Sequence, residues 1–141
     1  MSQAQTTEKT ASFLLNNPVL NADGTITKDG SKETRSQEEL QKLSQADVIK
    51  GWPPLTKGQI ILALINNKSN CENLEEMAKL QRLLVKIRNK SLTERGEWKM
   101  NKDQLLDVKA VFDKTPMDQL NINLHGQIYN EIQDLILKVT A

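Results

Sequence analysis

The sequence predicts a mainly α-helical fold, a four- to five-helix bundle over residues 36–141 behind a polar, partly extended N-terminal segment over residues 1–35. Three observations lead there. From residue 56 onward, apolar residues recur at three- and four-residue steps, the period of one helix face. Ser36, Asn73 and Asn101 each stand three residues before a Glu or Gln, the spacing of a capping box. The first 35 residues, in contrast, hold few large apolar side chains: Phe13, Leu14, Leu15, Val19, Leu20 and Ile26. Burying these few does not offset the entropy lost in ordering so long a segment, so residues 1–35 are expected to be flexible alone and ordered by a neighbouring partner, the rival being docking on the chain's own helical domain over residues 36–141.

Residues 1–12 are rich in Gln, Thr and Ser and read as a flexible arm. Phe13, Leu14 and Leu15 follow as a short apolar patch, with a helical turn expected before Pro18. Asp23-Gly24 is a tight-turn signal, and Val19-Leu20 and Thr25-Ile26-Thr27 supply the arms of a small hairpin. A linker over residues 31–35 comes next. A helix is then expected from Ser36, capped with Glu39, to Gly51, with Leu40, Leu43 and Ala46 on one face. Trp52-Pro53-Pro54 is an extended connector, since neither proline can donate to a helix ladder.

Thr56 caps the next helix, which runs to about Ile65 and ends at Asn66-Asn67. Asn73 with Glu76 opens the clearest helix in the chain, with Met77, Leu80, Leu84 and Ile87 on one face. Its acids lie in the first turn and Arg88 and Lys90 in the last, in accord with the helix dipole. A polar connector is expected over residues 91–99. Asn101 with Gln104 caps a helix that turns Leu105, Val108 and Phe112 inward. Pro116 sits at the expected first position of the last helix, whose inner face is Leu120, Leu124, Ile128, Ile132, Leu135 and Val139. Gly126 is expected either to interrupt this helix or to mark a close helix–helix contact.

Composition narrows the function classes. The chain has 141 residues, enough for one domain, of which 38% are hydrophobic and 26% charged. Its 19 Lys and Arg against 18 Asp and Glu leave a net +1, without the basic excess of a general nucleic-acid or membrane-surface binder. The charge is not even: residues 1–51 carry 6 bases and 7 acids, residues 52–99 carry 9 and 5, and residues 100–141 carry 4 and 6. The single cysteine, Cys71, allows no internal disulfide and fits a reducing, cytoplasmic compartment. No secretory signal or membrane span is expected, because the start is polar and the longest apolar run, residues 60–65, is short.

No catalytic, metal or cofactor constellation emerges. Placing Gly24 at the sixth position of a calcium loop puts Val19 at the first ligand position and Gly30 at the last, and neither offers a side-chain oxygen. His125 is the only histidine and lacks a partner acid and nucleophile in its surroundings in sequence. Cys71 has no adjacent base to activate it. The expectation is a non-enzymatic protein with no cofactor. Two sets of residues stand out for binding. Phe13, Leu14, Leu15, Trp52 and Trp98 are candidate contacts to a protein partner, the alternative for each tryptophan being to pack over a helix end. Lys79, Arg82 and Lys86 fall on one side of a helix, as candidate phosphate contacts or as an ordinary solvated face.

The order of features from Asn21 to Ile132 resembles that of small uncharacterised helical proteins encoded by tailed phages. The Asp-Gly turn, the segment Leu55-Thr56-Lys57-Gly58-Gln59-Ile60-Ile61-Leu62-Ala63-Leu64, the Leu/Lys/Ile helix around Leu80 to Ile87, the acidic-capped helix from Lys102 to Lys114 and the closing Gly126-Gln127-Ile128 carry the likeness. Residues 31–54 depart from it. The resemblance implies no substrate, cofactor or catalytic residue. The expected function is a phage-type accessory or assembly protein, in the host-cell cytoplasm or in the virion if structural, working through protein–protein binding or self-association, because the N-terminal half has too few apolar residues for a core of its own while the helical half has enough to fold. The competing expectation is a nucleic-acid-binding regulator that uses the basic helix side.

Overall fold

In the computed structural model, which describes residues 9–67 and 71–141, the chain is mainly helical with one small sheet. Six α-helices occur among the described residues: α1 (Gln37–Gln41), α2 (Gln45–Lys50), α3 (Lys57–Ile65), α4 (Leu74–Ser91), α5 (Lys102–Asp113) and α6 (Ile122–Thr140). Strands β1 (Ala11–Leu14) and β2 (Glu97–Met100) form the antiparallel sheet. Residues 1–8 of the expected flexible arm lie outside the described residues.

Side-chain caps explain most helix starts. Thr56 with Gln59 and Asn101 with Gln104 form full capping boxes, each side chain satisfying a backbone N–H of the other residue. Asn73 accepts from the Glu76 N–H at 2.8 Å. Ser36 accepts from the Glu39 N–H, but the helix it opens lasts one turn. Ser44 then captures the Asp47 N–H and starts a second short helix. The helix expected across residues 36–51 is therefore two pieces, because a serine at its centre competes for backbone donors. Neither piece buries a side chain fully, and Leu43 and Ala46 of the expected apolar face are exposed.

The last helix also starts later than expected. Pro116 leads into a 3-10 turn at Met117–Gln119, and α6 begins at Ile122, where Asn121 accepts from the Leu124 N–H at 2.9 Å. Gly126 does not interrupt α6, and among the described residues nothing outside its own stretch of helix lies within 4 Å of where its Cβ would be. It marks no close helix contact within the chain.

The strands are the main departure from the expected pattern. The segment expected as a polar connector contains β2, whose Trp98 and Met100 point into the core while Glu97 and Lys99 face out. Its partner comes from the N-terminal segment. Ala11 pairs with Met100 and Phe13 with Trp98, so both inward rows lie on one face. Ser12 on the outer face donates to Glu97 at 2.7 Å. The predicted hairpin follows. Leu20 bridges Ile26, the Asn21 N–H bonds the Thr25 carbonyl at 2.7 Å, and Gly24 takes the positive φ of +88° that the turn needs. The side-chain amide of Gln127 on α6 meets both the N–H and the carbonyl of Leu20, at 3.0 and 2.8 Å.

Ala11, Phe13, Leu15 and Val19 consequently share one core with Ile61 and Leu64 of α3, Ile87 of α4, Leu105, Val108 and Phe112 of α5, and Ile128 and Ile132 of α6. The boundary expected near residue 35 is not a break in this core. The contacts made by residues 11–28 come from the chain's own sheet and helices. Between β1 and the hairpin the chain also closes two helix ends. The Leu15 and Asn17 carbonyls accept from Gly58 and Lys57 at the start of α3, at 2.9 and 3.0 Å. The Asn16 amide donates to the carbonyls of Ser91 and Thr93 at the end of α4, at 3.1 and 3.0 Å.

Two substitutions separate core from surface. Phe13→Ala is expected to lower the unfolding free energy by about 3–5 kcal/mol, since it empties a fully buried aromatic site. Leu92→Ala, at a side chain 85% exposed, is expected to change it by no more than about 0.5 kcal/mol. Urea unfolding followed by circular dichroism measures both.

Candidate functional site

The structure takes three of the five candidate partner contacts out of reach. Phe13, Leu15 and Trp98 are buried in the core, Phe13 and Trp98 as inward-facing partners in the sheet and Leu15 just beyond β1. The Trp98 indole N–H has no acceptor among the described residues. Leu14 is half-buried at the end of β1.

Trp52 is half-buried and stitches its own neighbourhood together. Its indole N–H donates to Glu33 at 2.7 Å, and its ring lies against Gly30, where a Cβ would come within 3.2 Å. Arg35 grips the same carboxylate through two nitrogens, at 2.9 and 2.7 Å, and donates to the Val48 carbonyl at 2.6 Å. This staple orders residues 30–52, which lack buried apolar side chains. The hydrogen bonds from Arg35, with a further one from Trp52, lower the Glu33 pKa from 4.5 to about 2.

Lys79, Arg82 and Lys86 lie on one side of α4, as expected, and all three are exposed. Lys79 is not free for phosphate: it pairs with Asp107 of α5 at 3.1 Å. Lys114, just past the end of α5, pairs in turn with Glu76 of α4. The two ion pairs bridge a small slot between α4 and α5, of about 60 Å³, floored by Leu64, Leu80 and Leu83.

A larger feature lies where the end of α5, the 3-10 turn and the first turns of α6 meet. There the surface opens into a groove of about 740 Å³. Phe112 forms its inner wall and meets the His125 and Tyr129 rings edge-on, with centroids 6.4 and 6.0 Å apart. Met117, 81% exposed, and Ile122, 95% exposed, form its lips. Gly126 is its bare floor.

Asp113, His125 and Thr115 of the groove are engaged from within. Asp113 accepts from Tyr129 Oη at 2.7 Å and from Lys109 Nζ at 2.9 Å, and Lys109 lies 5.5 Å from the Tyr129 ring centre. Burial pushes the Asp113 pKa up, but the bonds from Tyr129 and Lys109 outweigh it and leave the carboxyl below its ordinary value. His125 Nδ1 accepts from the Asn121 N–H at 2.8 Å. Burial holds the imidazole pKa below its ordinary value, so at neutral pH the ring is uncharged with its proton on Nε2. Thr115 donates to the Val111 carbonyl at 2.7 Å. The result is a mainly apolar trough whose one charged side chain, Asp113, is paired with Lys109. Neither Met117 nor Ile122 was singled out as a contact from sequence, because helical spacing marks inward positions and not those left outside.

Among the described residues, no three His, Cys, Asp or Glu side chains gather as a metal site. No described helix is long and apolar enough to cross a membrane. Comparison with protein-family models, with curated proteins and with solved structures returns no significant match.

Two outcomes follow from the site's geometry. The Glu33 staple stabilises the fold in full above pH 4.5, and its contribution is lost as pH falls from there toward 2, because the unfolded chain takes up the proton first. Acid titration of stability should therefore separate the wild type from Glu33→Gln above pH 4.5 and bring the two together near pH 2. Gly126→Ala should raise the unfolding free energy by roughly 0.5–1 kcal/mol, because it removes the entropy penalty of a helical glycine and its methyl meets open space. A denaturant midpoint measured on dilute protein reads this directly.

Proposed function

We propose that the chain is a non-enzymatic accessory or assembly protein of the phage type, which acts by binding protein, either a second copy of itself or another component. The apolar groove between α5 and α6 carries this reading. Met117 and Ile122 stand almost fully in solvent at its edge, an exposure that has no use within the monomer and is typical of a surface awaiting a partner. Protein suits the groove better than nucleic acid, since its one acid is already matched by Lys109 and no unpaired cation lines it. The absence of catalysis is supported by the same contacts. Asp113, His125 Nδ1 and Thr115 all spend their hydrogen bonds on the chain itself. The likeness to small tailed-phage proteins supports the accessory role.

The second reading is a nucleic-acid-binding regulator, favoured by the exposed Arg82 and Lys86 beside each other on α4. A photo-crosslinking side chain placed at position 122 tests between them. Protein adducts at that position, absent when the crosslinker is moved to position 82, are the expected result. A DNA or RNA gel shift that weakens with salt and disappears in Arg82→Glu, with no protein adduct at position 122, would overturn the protein-binding reading.

A further inference from the structure

The groove carries both halves of a joint. Ile122 projects from the first turn of α6, 95% exposed. Gly126 lies four residues on, one turn along the same face, and opens onto empty space. A glycine there weakens its own helix, and no described residue beyond that helix lies in the room that it leaves. The missing Cβ leaves the helix backbone open to close approach from outside the monomer.

We propose that the occupant of the groove is a second copy of this chain, docked by antiparallel packing of α6 on α6 so that Ile122 of each copy enters the hollow over Gly126 of the other. This rests on the protein-binding reading above and names the partner. A two-fold axis crossing α6 midway between the two residues places both contacts at once, since such an interface must be complementary to itself. A surface with only a knob, or only a hole, would need a different partner. Here the two are one helical turn apart. The hollow of about 740 Å³ exceeds one isoleucine side chain, so Met117 enters beside it.

Charge permits the arrangement. The only acid in the lining, Asp113, is neutralised by Lys109, so two identical faces meet without like-charge repulsion. His125 adds no charge at neutral pH. Area sets the strength. Eleven residues line the groove, about half of the roughly 20–30 a side that a standard interface uses, so the dimer is weak and exchanges with monomer.

Analytical ultracentrifugation of the full chain, from about 1 to 500 μM, tests the pairing. The mass should rise from 15.9 kDa toward twice that value across this range. Ile122→Glu and Gly126→Leu should each weaken association by about tenfold or more without lowering the melting temperature of dilute protein, which Gly126→Leu should raise. The register has its own check, in a Cys71→Ser background. Mixing the Ile122→Cys chain with the Gly126→Cys chain under mild oxidation should give a mixed disulfide dimer in preference to either symmetric one. A chain that stays monomeric throughout, or a dimer indifferent to both groove substitutions, overturns the proposal. If the chain is monomeric yet position 122 still crosslinks to a different protein, the dimer falls and the protein-binding reading stands. If neither association nor crosslinking occurs, both fall.

Discussion

Leu15, Asn16 and Asn17 close two helix ends at once. A helix leaves its first N–H groups and last carbonyls without partners, and a buried end must find them elsewhere. Here the start of α3 takes carbonyls from Leu15 and Asn17, and the end of α4 takes the amide of Asn16. The same three residues continue the line of β1, so closing the helix ends also sets the register in which Phe13 meets Trp98. Two glycines make the approach possible. A Cβ at Gly96 would lie under 3.0 Å from Asn16, and that residue also takes a φ of +63°. A Cβ at Gly58 would press on the Leu15 carbonyl at 3.1 Å. Core and N-terminal segment are thus a single mechanical unit.

Order elsewhere is of a different kind. Residues 30–52 have no fully buried side chain and are held by polar contacts: serine caps, the Glu33–Arg35 pair and the indole of Trp52. α4, for all its length, buries only Ile87 fully and is tied to α5 across the small slot by Lys79–Asp107 and Glu76–Lys114. Polar ties at a surface contribute little each, so residues 30–52 are expected to open at lower free energy than the α5–α6 core. The groove, in contrast, is built on that core. Its inner wall is Phe112, buried between the two helices that pack against each other most fully. A binding surface set there keeps its shape while the periphery fluctuates.

How far the sequence discloses this fold depends on the range of the interactions concerned. Caps are local, and Asn73, Thr56 and Asn101 start helices where their spacing places them. The inward rows of α5 and α6 were legible for the same reason, since Leu105, Val108, Phe112, Ile128 and Ile132 repeat within one element. Strands of four residues are too short for their alternation to stand out, and β1 and β2 acquire meaning only from each other. Trp98 therefore looked like a connector residue, and Phe13 like a patch awaiting a partner. The groove was illegible for another reason. Ile122 and Met117 matter by being outside, and Gly126 by lacking a side chain, and no periodic pattern records either fact.

The pairing of β1 with β2 joins residues far apart in the chain: Ser12 and Glu97 are 85 positions distant. During synthesis the N-terminal strand leaves the ribosome long before its partner exists. At about 5–20 residues per second, some 4–17 s pass between the two. For that interval Phe13 and Leu15 are apolar side chains on an unpaired strand, open to chaperones and to other nascent chains. The last strand to be made completes the burial of the first, so a truncated chain ending before residue 97 would leave the ribosome with its N-terminal strand still exposed.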